Sequence, residues 1–195
     1  PMEAVLEAMA AGQRAFGENY LQEGVEKIAA VARAQPDTDI EWHFIGPIQS
    51  NKTRPIATSF AWVHTVERLK IAQRLSEQRP PEMGPLNVCL QVNISGEATK
   101  SGATPSELPE LARQVAALPN LTLRGLMAIP EAQTDPALQR AAFARLRVLA
   151  DALRADGLTI DTLSMGMSGD MAAAIAEGAT IVRVGSAVFG SRHYD

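Results

Sequence analysis

The sequence is poor in the residues that build disulfide scaffolds, metal centres and nucleic-acid surfaces. It has one cysteine, Cys89, and three histidines, which lie far apart. A disulfide framework and a Cys- or His-rich metal site are therefore not expected. The 18 Lys and Arg residues are outnumbered by 22 Asp and Glu, and no basic block is present that would follow a phosphate backbone. The composition argues against a nucleic-acid-binding protein.

Long hydrophobic runs are also absent. No apolar run approaches the ~18 residues that a membrane span needs, and no signal peptide is visible, so we expect a cytoplasmic protein that does not bind a membrane. Apolar residues make up 46% of the 195 residues, which is enough for a sizeable core. No low-complexity linker divides the chain. We expect a single domain over residues 1–195 and a monomer.

Short apolar runs alternate with longer amphipathic stretches. The pattern predicts seven strands, at residues 14–17, 41–46, 61–65, 86–94, 121–128, 163–166 and 180–184. It predicts helices at residues 1–11, 20–34, 51–57, 67–77, 105–118, 136–155 and 170–177. Thr104 with Glu107 predicts a capping box before the fifth helix, and Asp135 predicts an N-cap before the sixth. Such alternation is typical of parallel strands joined by crossover helices.

The polarity of the strand faces favours a closed barrel over an open sheet. In the strand that runs through residues 88–95 the even positions are apolar, and the odd positions are Cys89, Gln91, Asn93 and Ser95. An open doubly wound sheet is covered by helices on both faces, so both faces should be apolar. A polar inner face suits a barrel that holds a polar ligand. We therefore predict an α/β fold, a (β/α)8 TIM barrel whose first strand is missing from the chain, with the open sheet as the alternative.

Arg183 is the strongest single candidate for a functional residue. It interrupts an apolar strand near its end, where a buried guanidinium needs a partner. One interpretation is a structural salt bridge to Asp170 or Glu18. The other is a site for an anion or a heterocycle at the C-terminal end of the strand.

Two loops rich in Gly and Ser follow the last two predicted strands, at residues 164–170 and 183–186. Barrels often bind phosphate in the loops after their last two strands, and free amides ahead of a helix attract anions. The loops therefore predict an anion cradle among Ser168, Gly185 and Ser186, although a Gly-Ser pair also makes ordinary turns.

Two further residues have both a functional and a structural interpretation. Asn19 follows the first predicted strand, where it either caps the next helix or faces a ligand. His43 either faces the lumen or is a hydrogen-bonded core histidine. Lys52 and Lys100 are interpreted as solvated loop residues, because their surroundings in the sequence are polar.

Six motifs taken together resemble the YggS/PROSC family of pyridoxal-phosphate homeostasis proteins. They lie at residues 16–20, 42–52, 92–102, 125–130, 163–168 and 183–190, and the resemblance runs from about Gly12 to Tyr194. It implies a barrel similar to the N-terminal domain of alanine racemase that binds pyridoxal 5′-phosphate (PLP). It also implies a role in holding PLP and delivering it to PLP-dependent apoenzymes, without an established catalytic turnover.

The resemblance also assigns residues. It implies that Ser168, Gly185 and Ser186 hold the phosphate, that Arg183 lies near the ring or phosphate, and that Asn19 and His43 line the mouth. Ser164, in the same motif as Ser168, belongs to the predicted cofactor-binding set. The family's Schiff-base lysine lies at the end of the first strand, in a segment whose proline matches Pro1. We therefore expect this lysine and its strand just upstream of Pro1, absent from the chain.

Two enzymatic alternatives remain. One is a PLP-dependent, racemase-like barrel acting on amino acids. Alanine racemase, however, needs a second, β-rich domain that closes the site, and this chain ends at Asp195, soon after the last predicted strand. The other is an aldolase-like barrel that uses Lys100, which would require an apolar pocket around that amine. The expectation is a PLP-binding protein that is not an enzyme.

Overall fold

A computed structural model describes residues 1–98 and 100–191. This part of the chain contains six strands: β1 (Ala15–Glu18), β2 (Glu41–Phe44), β3 (Trp62–Val66), β4 (Leu86–Gln91), β5 (Leu121–Met127) and β6 (Thr162–Ser164). Its α-helices are α1 (Met2–Ala10), α2 (Leu21–Ala34), α3 (Thr53–Ser59), α4 (Leu69–Gln78), α5 (Leu108–Ala116), α6 (Pro136–Ala155), α7 (Met171–Ala176) and α8 (Ser186–Phe189).

All six strands form one parallel sheet in the order β1-β2-β3-β4-β5-β6. Each strand pairs with the next one along the chain, so the order never reverses. A doubly wound sheet reverses its strand order at a switch point, and that alternative is therefore wrong. The sheet with its crossover helices confirms the predicted TIM-barrel type of α/β fold, and in the described chain its six strands form a half-barrel.

The seventh predicted strand, at residues 180–184, is reduced to a single bridge between Ser164 and Ile181. The cause lies in its partner: Gly166 has a φ of +104°, so the chain turns away directly after β6. Two backbone bonds outside the bridge also hold the segment beside β6: the Thr180 amide donates to the Leu163 carbonyl at 3.0 Å, and the Arg183 amide donates to the Gly166 carbonyl at 2.8 Å. The prediction of a full strand here was wrong, although the segment lies where that strand was expected.

The predicted capping bonds form, although α5 begins at Leu108 rather than at Pro105 and has Glu107 at its N-cap position. The Glu107 amide donates to Thr104 Oγ1 at 3.2 Å, and the Thr104 amide donates to Glu107 Oε2 at 3.1 Å, which is a reciprocal capping box. Asp135 Oδ1 accepts from the Ala137 amide at 2.9 Å. The interpretation of Asn19 as a cap was wrong, because α2 has Tyr20 at its N-cap position.

The two faces of the sheet carry different residues. Helices pack on one face around a large core whose members include Phe44, Phe60, Leu90, Leu126 and Phe143. Burying each such side chain stabilises the fold by about 1.5–3 kcal/mol. The other face, here called the inner face, carries a small cluster of sheet residues: Trp62, Cys89 and Met127, with Ala61 and Ile181. The predicted division of β4 is confirmed, since Val88 and Leu90 lie in the large core and Cys89 in the small cluster.

Candidate functional site

Five polar side chains are linked by hydrogen bonds across the inner face. Glu41 Oε1 lies 2.7 Å from His43 Nε2, and His43 Nδ1 lies 2.8 Å from His64 Nε2. His64 Nδ1 lies 2.7 Å from Ser164 Oγ, and Arg183 Nη1 donates to the same Oγ at 2.6 Å. We call Glu41, His43, His64, Ser164 and Arg183 the inner-face network. It connects the first residue of β2 to the last residue of β6 and the segment beside it.

The two ends of the inner-face network determine where its protons lie. Arg183 can only donate and an ionised Glu41 can only accept. His43 therefore donates from Nε2 to Glu41. If both imidazoles are neutral, His43 Nδ1 then accepts from His64 Nε2, and His64 Nδ1 accepts the hydroxyl proton of Ser164, whose oxygen accepts from Arg183. In this assignment both imidazoles carry their proton on Nε2.

Burial keeps both histidines neutral. The pKa of His64 is well below its usual value, chiefly because the ring is buried and also because His43 and Arg183 lie close. The pKa of His43 is lowered as well, because its burial outweighs the opposing effect of Glu41. Half of the Glu41 side chain is exposed (52%), so the inner-face network reaches solvent at this end.

Arg183 is a half-buried cation without an ion-pair partner in the described chain. Besides Ser164, it donates from Nη2 to the Ala128 carbonyl at 3.0 Å. Burial lowers the pKa of Arg183 to about 10, so the side chain stays charged at neutral pH. A guanidinium has five N–H donors, and the described protein groups engage two of its nitrogens. The side chain thus retains both charge and donors for an anion or a polar ring.

The proposed structural salt bridges of Arg183 are not formed. Glu18 pairs with Lys27 at 2.7 Å, and Asp170 Oδ1 accepts from the Met167 amide at 2.7 Å. No carboxylate of residues 1–98 or 100–191 pairs with Arg183. This interpretation of Arg183 was wrong for both acids.

The two Gly- and Ser-rich loops meet beside Arg183. Ser168 Oγ accepts from the Ala187 amide at 3.4 Å, while the amides of Gly185 and Ser186 have no acceptor among the described residues. A Cβ added to Gly185 would meet no heavy atom within 4 Å. Its φ of −116° suits any residue. The protein itself therefore does not require glycine here, and free amides border open space.

The structure brings together most of the predicted site residues. Ser164 and Arg183 are in direct contact, and the loops that carry Ser168, Gly185 and Ser186 adjoin them. His43 joins them only through His64, and both of its ring nitrogens bond to protein groups. It is thus both inward-facing and hydrogen-bonded.

Asn19 stands apart from this group. It is exposed after β1, and its backbone carbonyl fills the space that a Cβ on Gly46 would need. No side-chain bond joins it to the other predicted site residues in the part of the chain that the structure describes.

Sequence reasoning missed His64 and Glu41. A signal was present, because Trp62 and His64 share one parity on a predicted strand, as Glu41 and His43 do on another. Their alternation with Val63 and Trp42 placed them on the inner face. Local alternation does not, however, reveal that the two strands pair, with His43 opposite Trp62, or that Ser164 lies next to His64.

The chain's four lysines all lie away from the inner-face network. Lys27 pairs with Glu18 and Glu23, and Lys52, Lys70 and Lys100 are exposed. The aldolase-like alternative is therefore wrong, because Lys100 does not lie in an apolar pocket.

Arg124 is the second arginine at the inner face, where it pairs with a carboxylate and stacks on an aromatic ring. The Arg124 guanidinium lies 4.6 Å from the centroid of the Trp62 ring and forms a fork with Asp161 at 2.9 and 3.0 Å. It also donates to Asn87 at 3.1 Å. The hydrogen bonds to Asp161 raise the pKa of Arg124. This arginine is thus saturated by protein groups, in contrast to Arg183.

Two further observations apply to residues 1–98 and 100–191 only. None of their helices has the length and apolar character needed to cross a membrane. They also contain no cluster of three or more His, Cys, Asp or Glu side chains with the geometry of a metal site.

Comparison with known proteins identifies the family. Residues 1–193 match the family model "Alanine racemase, N-terminal domain". The chain belongs to this family. It is 65% identical to a pyridoxal phosphate homeostasis protein of Pseudomonas aeruginosa, over all of this chain and 81% of that protein. The resemblance to the pyridoxal phosphate homeostasis proteins is thereby confirmed.

Solved structures agree with this placement. PipY of Synechococcus elongatus, whose structure has PLP bound, is 38% identical, with a TM-score of 0.88 over 97% of this chain and 88% of its own. Alanine racemase of Clostridium difficile is 14% identical, with a TM-score of 0.79 over all of this chain and 49% of its own. The racemase supports the barrel-type fold alone.

Proposed function

We propose that this family member binds PLP at the C-terminal end of its sheet and serves to hold and deliver the cofactor. The observation that carries the proposal is Arg183, a half-buried cation that forms no described ion pair and lies beside the free amides of Gly185 and Ser186. No carboxylate of the described chain forms an ion pair with Arg183, although Asp170 lies close enough to favour its charged form. PLP provides an anionic partner in its phosphate, and its pyridine ring provides a further acceptor.

Each predicted residue has a place in the proposed site. The amides of Gly185 and Ser186 and the hydroxyl of Ser168 hold the phosphate, as backbone donors at a turn commonly do. Arg183 contacts the ring or phosphate, and Ser164 fixes the guanidinium. Asn19 borders the mouth. His43 contributes indirectly, because both of its ring nitrogens already bond to protein.

We propose a carrier rather than an enzyme. When bound, PLP supplies an electron sink for amino-acid chemistry, and an enzyme must add a placed proton donor or acceptor and exclude water. The described residues offer no unpartnered acid or base beside Arg183, since both histidines are engaged in the inner-face network. A monomer that transfers PLP to cytoplasmic apoenzymes, with its covalent lysine upstream of Pro1, completes the proposal.

Equilibrium titration with PLP tests the proposal. Arg183→Ala should weaken PLP binding at least about tenfold, because it removes charge-assisted bonds, and this effect should exceed its effect on the melting temperature. Arg145→Ala is the matched control: it removes one exposed positive charge on α6, away from the site. Unchanged PLP affinity of Arg183→Ala would contradict the proposed site. PLP-dependent racemisation of alanine above background would contradict the carrier role.

A further inference from the structure

His64 is the central member of the inner-face network and is almost fully buried, with 1% of its surface exposed. It lies between two groups that belong to other strands, His43 of β2 and Ser164 of β6. Ser164 is fully buried. No bulk solvent is therefore at hand to replace a partner that either side chain loses.

The Ser164 hydroxyl has two roles at once. It accepts from Arg183 at 2.6 Å, and it donates its own proton to His64 Nδ1 at 2.7 Å. The two roles are coupled, because donation to His64 fixes the hydroxyl proton on the His64 side and leaves the oxygen lone pairs to Arg183. His64 thus determines how Ser164 presents its oxygen.

Uptake of one proton by the histidine pair reverses this arrangement. If the proton stays on His64, Nδ1 becomes a donor towards Ser164. If His43 holds it as an ion pair with Glu41, His43 Nδ1 donates to His64 Nε2, and the His64 proton moves to Nδ1. In both cases Ser164 loses its acceptor and faces two donors, Arg183 and His64.

The groups around His64 do not compensate for such a change. His43 faces it from β2, and Arg183 contributes a positive charge from the segment beside β6. On β4 the nearest titratable group is Cys89, whose thiol stays protonated because burial raises its pKa to about 12. The carboxylate that belongs to the inner-face network, Glu41, is separated from His64 by the His43 ring.

We propose that His64 is a positioning residue for Arg183: through Ser164 it holds the guanidinium in its PLP-binding orientation, and it does so only while Nδ1 carries no proton. This inference rests on the proposed function, since it assumes that Arg183 contacts the cofactor. The inner-face network thereby connects the protonation state of its solvent-exposed end, at Glu41, to the strength of PLP binding at the other end.

The network can be tested without any ligand by nitrogen-15 NMR of the imidazoles. At about pH 7.5, both His43 and His64 should carry their proton on Nε2, and acidification should add a proton to His64 Nδ1. A proton on His64 Nδ1 at the higher pH would overturn the proposal.

Binding measurements then test the effect on Arg183. The probe is pyridoxine 5′-phosphate, which keeps the ring and phosphate of PLP but has no aldehyde, so that no lysine reacts with it. His64→Gln retains an acceptor and a donor but cannot gain a proton, and we expect its affinity to lie within about threefold of the wild type at about pH 7.5. His64→Phe should bind at least about tenfold more weakly. Ser164→Ala should also bind more weakly, and it decides the matter if His64→Phe fails to fold.

The pH dependence separates positioning from a merely structural role. Between about pH 7.5 and the lowest pH at which both proteins remain folded, the wild type should lose at least about threefold more affinity than His64→Gln. The titration of the probe itself affects both proteins equally. Identical pH profiles would overturn the proposal. If Arg183→Ala binds the probe normally, the proposed function fails. The other outcome is that Arg183→Ala binds the probe weakly while His64→Phe and Ser164→Ala, where they fold, bind it with normal affinity. In that case the proposed function stands and only the positioning role of His64 fails.

Discussion

Arg183 Nη1 donates to Ser164 Oγ at 2.6 Å, which fixes a half-buried cation to the last residue of β6. The bond links the two loops that the sequence pattern had paired only by their composition. Because Ser164 is an uncharged partner, it orients the guanidinium without neutralising it. A carboxylate in the place of the Ser164 hydroxyl would have neutralised the positive charge that attracts an anionic cofactor.

Two glycines give opposite predictions when each is replaced by alanine. Gly185→Ala should leave stability nearly unchanged, because an added Cβ meets no atom of the described protein within 4 Å. It should weaken PLP binding about tenfold, because the methyl group would occupy the space beside the free amides. Titration with PLP and thermal melting of the same variant measure both effects. Unaltered PLP affinity would show that the cradle lies elsewhere.

Gly125→Ala is the matched variant, and it should lose stability instead. A Cβ at this position would overlap the backbone carbonyl of Thr162 on the neighbouring strand. Because backbone cannot move aside cheaply, we expect a loss of about 2–4 kcal/mol in the free energy of unfolding. Denaturant unfolding measures it, and a variant as stable as the wild type would contradict the close approach of β5 and β6.

Stability should fall as the pH drops below the ordinary histidine value. Burial lowers the pKa of His64 and of His43 in the folded state, so between the folded and unfolded values the unfolded chain binds more protons. The stabilisation is therefore complete above about pH 6.5 and is lost as the pH falls further. Denaturant unfolding midpoints at several pH values measure this trend. His64→Gln should flatten the curve, and an unchanged slope would contradict the assignment to His64.

Arg79 is predicted to be a structural arginine. Its buried guanidinium donates to the carbonyls of Ala57, Phe60 and Gly84 at 2.9, 2.6 and 2.9 Å. Arg79→Met keeps much of the side-chain volume but leaves three carbonyls without this donor, so we expect a loss of about 2–4 kcal/mol. PLP affinity of the folded variant should not change. A stable Arg79→Met would show that water satisfies these carbonyls.

Features encoded by local alternation were predictable from the sequence, and features that depend on distant pairing were not. The polar parity of β4 and the capping box at Thr104 involve residues within one element, and both form as predicted. The partnership of His64 with Ser164 spans 100 positions, and no local pattern specifies it. The seventh strand was overpredicted because strand length depends on the partner, and Gly166 ends β6 early.

The identity of the partner of Arg183 was equally inaccessible from sequence. Asp170 and Glu18 were candidate partners because both come after predicted strands, at the C-terminal edge of the sheet. Glu18 instead forms an ion pair with Lys27 of α2. The Asp170 side chain accepts a hydrogen bond from the Met167 amide in its own loop. The partner that each carboxylate binds depends on the three-dimensional geometry of the loop. Residue type and sequence spacing do not determine that geometry.

Covalent attachment of PLP is predicted to require sequence upstream of Pro1. A stable linkage needs an unprotonated amine held beside the cofactor's aldehyde, and rigid elements place such groups better than loops do. Of the chain's four lysines, Lys27 is held by Glu18 and Glu23, and the other three are exposed. The chain that begins at Pro1 should therefore gain no stoichiometric label after incubation with PLP and borohydride reduction.

A form extended upstream of Pro1 should become labelled on the added lysine that the family resemblance implies. Peptide mapping of both forms after reduction measures the position and stoichiometry of the label. Because Lys52 and Lys100 are exposed loop residues, only sparse, concentration-dependent labelling is expected there. Stoichiometric label on Lys52 or Lys100 of the shorter form would contradict the prediction and would place the covalent chemistry on a loop of this chain.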